Sequence, residues 1–279
     1  MTISQTVFYQ AVDAIITGDE DTLKQLLTDN PHLTNMRSSV AHNATLLHYV
    51  GANGVEDDKQ QTPHNILIIT EILLEHGADP NVVASLHGTP TTPLGAVVTS
   101  FYPAQAGKQV DLVHLLCKNG ANPDGVDGDD PLSAALYHGF TSAANALVEN
   151  GTRLTNLVTV SAFGSANQLK TILSQPIDIQ NPHLPQTEPA IKDLALISAT
   201  RFAKIENVKH LLSAGFNVHA RAVFTNATPL HIACAIGDAE LVQLLIENGA
   251  DTTLQDAEGN TPRQLAQSRN HTAILDLFA

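Results

Sequence analysis

The sequence predicts an all-α fold built from repeated pairs of helices. The dipeptide Thr228-Pro229 returns as Thr261-Pro262 after 33 residues, and a fixed period of this length is typical of stacked repeat arrays. The Thr228 hydroxyl can cap a helix, and Pro229 suits the first helical turn because no backbone N–H is needed there. A single pair of helices cannot bury its own apolar face, so we expect neighbouring pairs to stack on one another.

The best-defined repeat runs from Thr228 to Ala250 and resembles an ankyrin repeat. Its opening residues 228–231 (TPLH) match the tetrapeptide that starts the first helix in that family. Gly237 lies in the turn between the helices, and residues 248–251 (NGAD) end the second helix. The resemblance implies an ankyrin-repeat solenoid, in which stacked helix-turn-helix units are joined by β-hairpin-like loops.

We expect this solenoid to form a single domain over residues 1–279, with eight helical pairs. The first predicted pair is an N-terminal cap at 3–40. Repeats two to seven follow at 45–81, 92–124, 130–154, 155–176, 194–219 and 228–253, and the eighth pair is a C-terminal cap at 261–279. Repeat five lacks the glycine that ends the second helix in other repeats. The hairpin that joins it to repeat four must be shorter than the other hairpins. The proline-rich link at 176–190 that follows repeat five is predicted to be irregular.

Repeats two and three carry insertions. Between the opening Thr and the closing Gly they contain 11 and 7 residues more than repeat seven. The extra residues lie around 55–63 and 101–107, between the two helices of each repeat. Because the two repeats are consecutive, we expect both insertions at one rim of the array.

Composition restricts the classes of partner. There are 14 Lys and Arg against 28 Asp and Glu, which gives a formal net charge of −14, and no basic run is present. Nucleic acid and anionic membrane surfaces are therefore not expected as partners. The first residues, MTISQTVFYQ, lack the features of a signal peptide. Cys117 and Cys234 occupy core-like helix positions, so we predict no disulfide and a cytoplasmic location.

Motifs that would indicate catalysis or metal binding are missing from the sequence. None of its 13 histidines forms an HExxH pair, and the phosphate-loop, dinucleotide-binding and nucleophile-elbow patterns are also absent. The resemblance implies local backbone and threonine bonds for His48 and His231. Residues 127–130 (DGDD) resemble the acid motif of protonating terpene cyclases, but they fall in a hairpin where the repeat pattern expects Asp and Gly. We therefore expect no metal and no cofactor, and we favour a non-catalytic role.

The resemblance implies that ligands bind at hairpin tips and at the two positions before each inter-helix turn. Alignment on the opening tetrapeptide gives five candidates with aromatic, His or Arg side chains in repeats four to six, which are Tyr137, His138, Phe163, Arg201 and Phe202. Aromatic and Arg side chains dominate interface hot spots. We predict a protein–protein interaction module that binds a protein or peptide on its concave inner-helix and hairpin face. In the alternative interpretation, Phe163 and Phe202 fold back into a degenerate core.

The two positions before the inter-helix turn also provide Asn53 in repeat two and Thr99 and Ser100 in repeat three. The remaining candidates, Asp57 and Tyr102, lie on the insertions. These insertions are either solvated loops or a lip that deepens the groove into a pocket. The second reading leaves open an alternative function as an enzyme or small-molecule binder. Its pocket would use Asn53, Glu56, Asp57, Tyr102, Tyr137 and His138. The oligomeric state is not predicted.

Overall fold

The computed structural model confirms the helical fold class. Residues 3–278 are described, and they contain 17 α-helices and one two-stranded β-hairpin. Met1, Thr2 and Ala279, which ends the predicted C-terminal cap, lie outside the described residues. No helix within this described part is long and apolar enough to cross a membrane.

The chain divides into two compact units. The N-terminal unit extends to Ala135 and also includes Ser142–Arg153, and the C-terminal unit consists of Leu136–Thr141 and Leu154–Ala279. The single domain over residues 1–279 stays a prediction. Each unit is described by itself below.

The N-terminal unit contains the first four helical pairs and both insertions. Its helices are α1 (Ile3–Thr17), α2 (Glu20–Asp29), α3 (Leu46–Tyr49), α4 (Ile66–Glu75), α5 (Pro93–Val98), α6 (Phe101–Gln105), α7 (Gln109–Lys118), α8 (Pro131–His138) and α9 (Thr141–Glu149). The last three residues of α8 and the first of α9 belong to the C-terminal unit. Strands β1 (Ala84–Leu86) and β2 (Thr89–Thr91) pair antiparallel between repeats two and three, with Ser85 opposite Pro90.

Helix ends in this unit follow from local chemistry. The Asp19 side chain accepts the backbone N–H of Thr22 and so caps α2, which buries Leu23 and Leu27 on its inner face. The insertion of repeat two forms a short 3₁₀ turn at Asp57–Lys59, and that of repeat three forms α6.

Asparagine side chains join successive repeats at the hairpin side of this unit. The Asn35 Oδ1 atom accepts the backbone N–H of Asp79 at 3.0 Å, and Asn81 Oδ1 accepts that of Asn122 at 2.8 Å. The same side chains donate through Nδ2 to the carbonyls of Gly77 and Gly120, at 2.9 and 2.8 Å. Carbonyls at a helix C-terminus have no intrahelical partner. Hydrogen bonding thereby adds to the apolar contacts that stack one repeat on the next.

The C-terminal unit contains the remaining four helical pairs. Its helices are α10 (Leu157–Phe163), α11 (Ala166–Leu173), α12 (Glu188–Arg201), α13 (Ile205–Ser213), α14 (Pro229–Ile236), α15 (Ala239–Glu247), α16 (Pro262–Ser268) and α17 (Thr272–Leu275). The Thr228 and Thr261 side chains cap α14 and α16, and in both helices Pro stands in the first turn.

Repeat six begins earlier in the structure than the sequence pattern predicts. Helix α12 starts at Glu188, whereas repeat six was expected to begin at Leu194 and the irregular link to extend to Ala190. Pro189 stands in the first turn of α12, where its missing N–H costs nothing. A proline that was interpreted as a loop residue therefore opens the helix, and α12 becomes 14 residues long.

Candidate functional site

Three aromatic rings of the C-terminal unit form a partly exposed cluster. The ring of His138 stacks on that of Phe224 with centroids 5.1 Å apart and planes 17° from parallel. Tyr137 meets both rings edge-on, at 5.3 Å from His138 and 5.8 Å from Phe224. The Phe224 side chain is 58% exposed, and the neighbouring Val223 is 57% exposed. Tyr137, His138 and Phe224 are called the aromatic cluster below.

Local backbone geometry positions the cluster. Helix α8 ends at His138 because Gly139 takes a φ of +81°, a conformation that glycine adopts without strain. Phe224 stands in a tight loop between repeats six and seven, in which Asn226 N–H bonds to the Ala222 carbonyl at 2.8 Å. The Arg221 Nη1 donates to the carbonyls of Asn226 and Gln255 at 2.7 and 2.8 Å. The loop is thus held by its own hydrogen bonds and by one to Gln255, and Phe224 stays largely exposed on it.

Sequence reasoning found Tyr137 and His138 but missed Phe224. Tyr137 and His138 stand just before an inter-helix turn, whereas Phe224 lies in a hairpin. Two bulky apolar residues, Val223 and Phe224, stand at a hairpin tip, where polar and small residues are the rule. That departure is the signal that could have identified them.

Arg201 lies close to the aromatic cluster. It ends α12, and its Nη1 donates to the Leu136 carbonyl at 3.3 Å. The guanidinium lies against Gly139, where an added Cβ would come within 3.2 Å of both terminal nitrogens. Burial lowers the pKa of Arg201 from its ordinary value, although an Arg side chain remains charged at neutral pH. No carboxylate lies within ion-pair distance of this guanidinium among the described residues.

A cavity of about 220 Å³ opens beside Arg201. Its lining residues all belong to the C-terminal unit and are Tyr137, Pro185, Ala190, Asp193, Leu194, Ile197, Arg201, Arg221, Ala222 and Val223. Burial raises the pKa of the Asp193 carboxyl, and a hydrogen bond with the Asn217 side chain opposes that rise. We call this space the Arg201 cavity.

Phe163 and Phe202 form a separate ring pair in the same unit. Their centroids are 4.4 Å apart and their planes are tilted by 49°, and both side chains are half-buried. Phe163 ends α10, and Phe202 is the residue after α12. The two rings pack against each other without being fully buried. Their geometry therefore lies between the two interpretations of the sequence, a binding surface and a degenerate core.

In the N-terminal unit, the first insertion is held by Glu56. Its carboxylate accepts the hydroxyls of Tyr9 at 2.8 Å and Tyr49 at 2.9 Å, and it lies 3.1 Å from His42 Nε2. Lys59 ties the same insertion to α1 through a 2.7 Å contact with Asp13. The Glu56 named for the alternative pocket is therefore the centre of an internal network.

The pKa values of this network follow from burial and from the shared carboxylate. Burial raises the pKa of Tyr9 to about 12, with the Glu56 hydrogen bond and charge acting in the same direction. Burial, followed by the Glu56 charge, raises the pKa of Tyr49. For Glu56 itself burial acts upward, but a backbone hydrogen bond and the donors from Tyr9, Tyr49 and His42 outweigh it, so the pKa is lowered. Both phenols stay protonated donors and Glu56 stays an ionised acceptor at neutral pH.

The candidates just before the two insertions also make internal contacts. The Asn53 Nδ2 donates to Thr99 Oγ1 at 2.7 Å, which joins the starts of the two insertions, and Asn53 Oδ1 lies 3.2 Å from His87 Nε2. Ser100 is 1% exposed and accepts the Tyr102 N–H as the cap of α6. Because a buried side chain cannot contact a partner directly, we leave Ser100 out of the proposed surface.

Asp57, Phe101 and Tyr102 remain exposed on the insertions. Asp57 lies in the 3₁₀ turn, and the rings of Phe101 and Tyr102 meet edge-on at 6.2 Å. Phe101 is 61% exposed, more than the 39% of Tyr102, which sequence reasoning had chosen. Of the residues named for the alternative pocket, four belong to the N-terminal unit, whereas Tyr137 and His138 belong to the C-terminal unit.

The histidines of the opening tetrapeptides make the local threonine bond that the resemblance implied, and each also bonds to a backbone carbonyl just before the next repeat. The backbone N–H of Thr228 donates to His231 Nδ1 at 3.2 Å, and His231 Nε2 donates to the Asn260 carbonyl at 3.0 Å. His48 does the same with Thr45 N and the Thr91 carbonyl, at 3.2 and 3.1 Å. No group of three or more His, Cys, Asp or Glu side chains among the described residues is arranged to hold a metal ion.

Comparisons with known proteins match this geometry. The family described as ankyrin repeats (3 copies) matches residues 194–279. The protein mask-1 of Caenorhabditis elegans, an ankyrin repeat and KH domain-containing protein, is 27% identical over 225 residues, which is 68% of this chain and 8% of that protein. The mouse B-cell lymphoma 3 protein homolog is 28% identical over 198 residues, covering 66% of this chain and 41% of that protein. The E3 ubiquitin-protein ligase KEG of Arabidopsis thaliana is 26% identical over 294 residues, which cover 84% of this chain and 18% of that protein.

The chain spans less than half the length of each of these relatives. Ankyrin repeats in general serve as protein–protein interaction modules. The matched segment contains the opening tetrapeptide of repeat seven, its Thr228 capping box and the left-handed Gly237 that ends α14. With sequence match and repeat geometry in agreement, residues 194–279 are ankyrin repeats, and the chain as a whole is similar to ankyrin-repeat proteins.

Proposed function

We propose that this chain binds a protein partner through the C-terminal unit, on a surface centred on the aromatic cluster and Val223. The observation that carries this proposal is Phe224, which is 58% exposed although its ring is already positioned by His138 and Tyr137. A ring that is ordered before binding loses little conformational entropy when a partner covers it. Exposed aromatic side chains of this kind are the usual anchors of an interface.

The distribution of charge supports the same surface. The N-terminal unit has 6 Lys and Arg against 17 Asp and Glu, whereas the C-terminal unit has 8 against 11. Most of the negative charge therefore belongs to the N-terminal unit, and the C-terminal unit is close to neutral. Depletion of charge around exposed apolar residues is typical of the centre of an interface.

Contacts at the insertions favour a structural role for their polar residues. Glu56 and Asn53 have their hydrogen-bonding groups engaged within the N-terminal unit. Groups that are already paired offer little to a ligand unless their internal bonds break. We therefore place the partner surface on the aromatic cluster, and use Phe101 as the matched comparison in its test.

The test compares two exposed phenylalanines. Proteins captured from a lysate of the source organism by the wild-type chain would be identified, and one purified partner would be titrated against Phe224→Ser and Phe101→Ser. Both rings are mostly exposed, so neither substitution should prevent folding, which circular dichroism would check. We expect Phe224→Ser to weaken binding by about tenfold or more, about 1.4 kcal/mol, and Phe101→Ser to change it little.

Two results would contradict the proposal. If Phe101→Ser weakened binding and Phe224→Ser did not, the partner surface would lie on the insertions. If no protein were captured above the level of empty resin, the function as a protein-binding module would lose its support.

A further inference from the structure

The Arg201 cavity has a basic end and an acidic end. Asp193, Ile197 and Arg201 recur every four residues along α12 and all line the cavity. Residues at this spacing share one face of a helix, and the eight-residue rise separates the first from the last by about 12 Å. The apolar Ile197 lies between the two charged side chains.

Arg201 supplies hydrogen-bond donors that the described residues do not use fully. A guanidinium has five N–H donors in a planar fork, and the acceptor found for Arg201 is the Leu136 carbonyl at 3.3 Å. The other arginine of the cavity, Arg221, uses both N–H groups of its Nη1 for backbone carbonyls, at 2.7 and 2.8 Å. Arg201 thus keeps more donors available to an incoming group than Arg221 does.

Burying a guanidinium without a carboxylate partner is unfavourable, because its lost hydration is not replaced. No ion pair of Arg201 exists within the described residues, yet its side chain is half-buried against Gly139. A carboxylate from a partner would supply the missing charge. The planar fork of Arg matches the two oxygens of a carboxylate.

We infer that the Arg201 cavity receives the carboxylate of an Asp or Glu side chain of the partner protein, while apolar residues beside it on the partner cover the aromatic cluster. This inference rests on the proposed function. Tyr137 belongs both to the cavity wall and to the aromatic cluster, so one short segment of a partner can reach both. A volume of about 220 Å³ accommodates one side chain and little more.

Asp193 does not oppose such a ligand strongly. A carboxylate in contact with the Arg201 guanidinium would lie closer to that positive charge than to Asp193 at the other end of the cavity, and Coulomb energy falls with the inverse of distance. The attraction to Arg201 is then the stronger of the two interactions. Asp193 would instead disfavour a second negatively charged group of the partner at the Asp193 end of the cavity.

The experiment selects peptides from a displayed library of random decapeptides. The wild-type chain, Arg201→Gln and Asp193→Asn would be used as baits, with Arg263→Gln as the matched control because Arg263 is exposed on the same unit outside the cavity. Cooperative urea unfolding would establish that each bait is folded. We expect peptides selected by the wild type and by Arg263→Gln to share an Asp or Glu next to apolar residues.

The acidic position should disappear with Arg201→Gln and strengthen with Asp193→Asn. Synthetic peptides from the selection should bind Arg201→Gln at least tenfold more weakly than the wild type. Peptides that bind without an acidic preference, or with equal affinity for Arg201→Gln, would overturn the inference and leave the proposed function standing. Selection of no peptide by the folded wild type would count against the proposed function and, with it, this inference.

Discussion

Asp129 fixes the cap of helix α5 by binding Thr92, which lies 37 residues earlier in the chain. Its Oδ2 atom accepts the Thr92 backbone N–H at 2.9 Å and the Thr92 hydroxyl at 2.6 Å. In repeat two the corresponding Thr45 gives the same two bonds to His48, three residues later in its own tetrapeptide. Repeat three has Gly95 at that position, and the Asp129 carboxylate occupies the space that a histidine side chain would take.

Removing this carboxylate should destabilise the chain. Asp129→Ala leaves the buried Thr92 N–H without its acceptor, and we expect the free energy of unfolding to fall by about 3 kcal/mol. Adding Gly95→His to Asp129→Ala should recover at least half of that loss, because the histidine can accept the bonds as His48 does. Urea unfolding of the wild type, both single variants and the double variant measures this.

Gly95→His alone provides the contrast. An added Cβ at Gly95 would come within 2.8 Å of both Asp129 oxygens, so this single variant should be destabilised. If the double variant were no more stable than Asp129→Ala, the two side chains would not be exchangeable at this cap.

Glu56 should control the order of the first insertion. In Glu56→Ala the hydroxyls of Tyr9 and Tyr49 lose their shared acceptor, and we expect a loss of about 2 kcal/mol and faster amide hydrogen exchange in residues 50–61. The adjacent Asp57→Ala is the matched control, because Asp57 is exposed on the same 3₁₀ turn. It should change stability by less than about 0.5 kcal/mol. Equal effects of the two substitutions would refute the role assigned to Glu56.

Much of the fold could be predicted because the repeat signals are local. Thr228 caps α14 through its own hydroxyl, and Gly237 takes a φ of +85° at its end, so neighbouring residues settle both boundaries. Pro189 was misplaced because a proline has no N–H either in a loop or in a first helical turn. Only the packing of α12 against its neighbours distinguishes a loop proline from one in a first helical turn, and that packing cannot be predicted from the pattern of a single sequence.

Part of the candidate surface could be predicted because its signals are local too. Tyr137 and His138 precede a recognisable turn at Gly139, whereas Phe224 reaches them from a hairpin some 86 residues later in the chain. The contact of Asp129 with Thr92 could not be predicted either, because the two residues are 37 positions apart in the chain. In both cases the missing information is a long-range contact.

Both cysteines should react slowly in the folded chain. Burial raises the pKa of Cys117 to about 11 and that of Cys234 to about 12, and alkylation requires the thiolate. With iodoacetamide at pH 8 we expect Cys117, which is half-buried, to be labelled first and Cys234, which is fully buried, last. Mass spectrometry of digested samples measures both rates. Labelling of folded Cys234 as fast as in urea would contradict its burial.

His48 should make stability depend on pH in the mildly acidic range. Burial lowers the pKa of His48 to about 4, from an ordinary value of 6.5. Between these values the unfolded chain binds a proton that the folded chain does not, so the free energy of unfolding falls as the pH falls. The contribution is complete above pH 6.5, and about 2 kcal/mol of it is lost by pH 5. Below about pH 4 the folded His48 binds its proton too, and the loss levels off.

Urea unfolding at pH 7 and at pH 5 tests this, with His48→Gln and His87→Gln as the compared variants. His48→Gln should lower stability at pH 7, since its amide cannot reproduce both ring bonds, but it should lose about 2 kcal/mol less than the wild type on acidification. His87 is exposed, so His87→Gln should keep the wild-type pH dependence. Burial also lowers the pKa of His231, and part of the pH dependence should therefore persist in His48→Gln. An unchanged difference between pH 7 and pH 5 in His48→Gln would show that His48 is not the group that titrates.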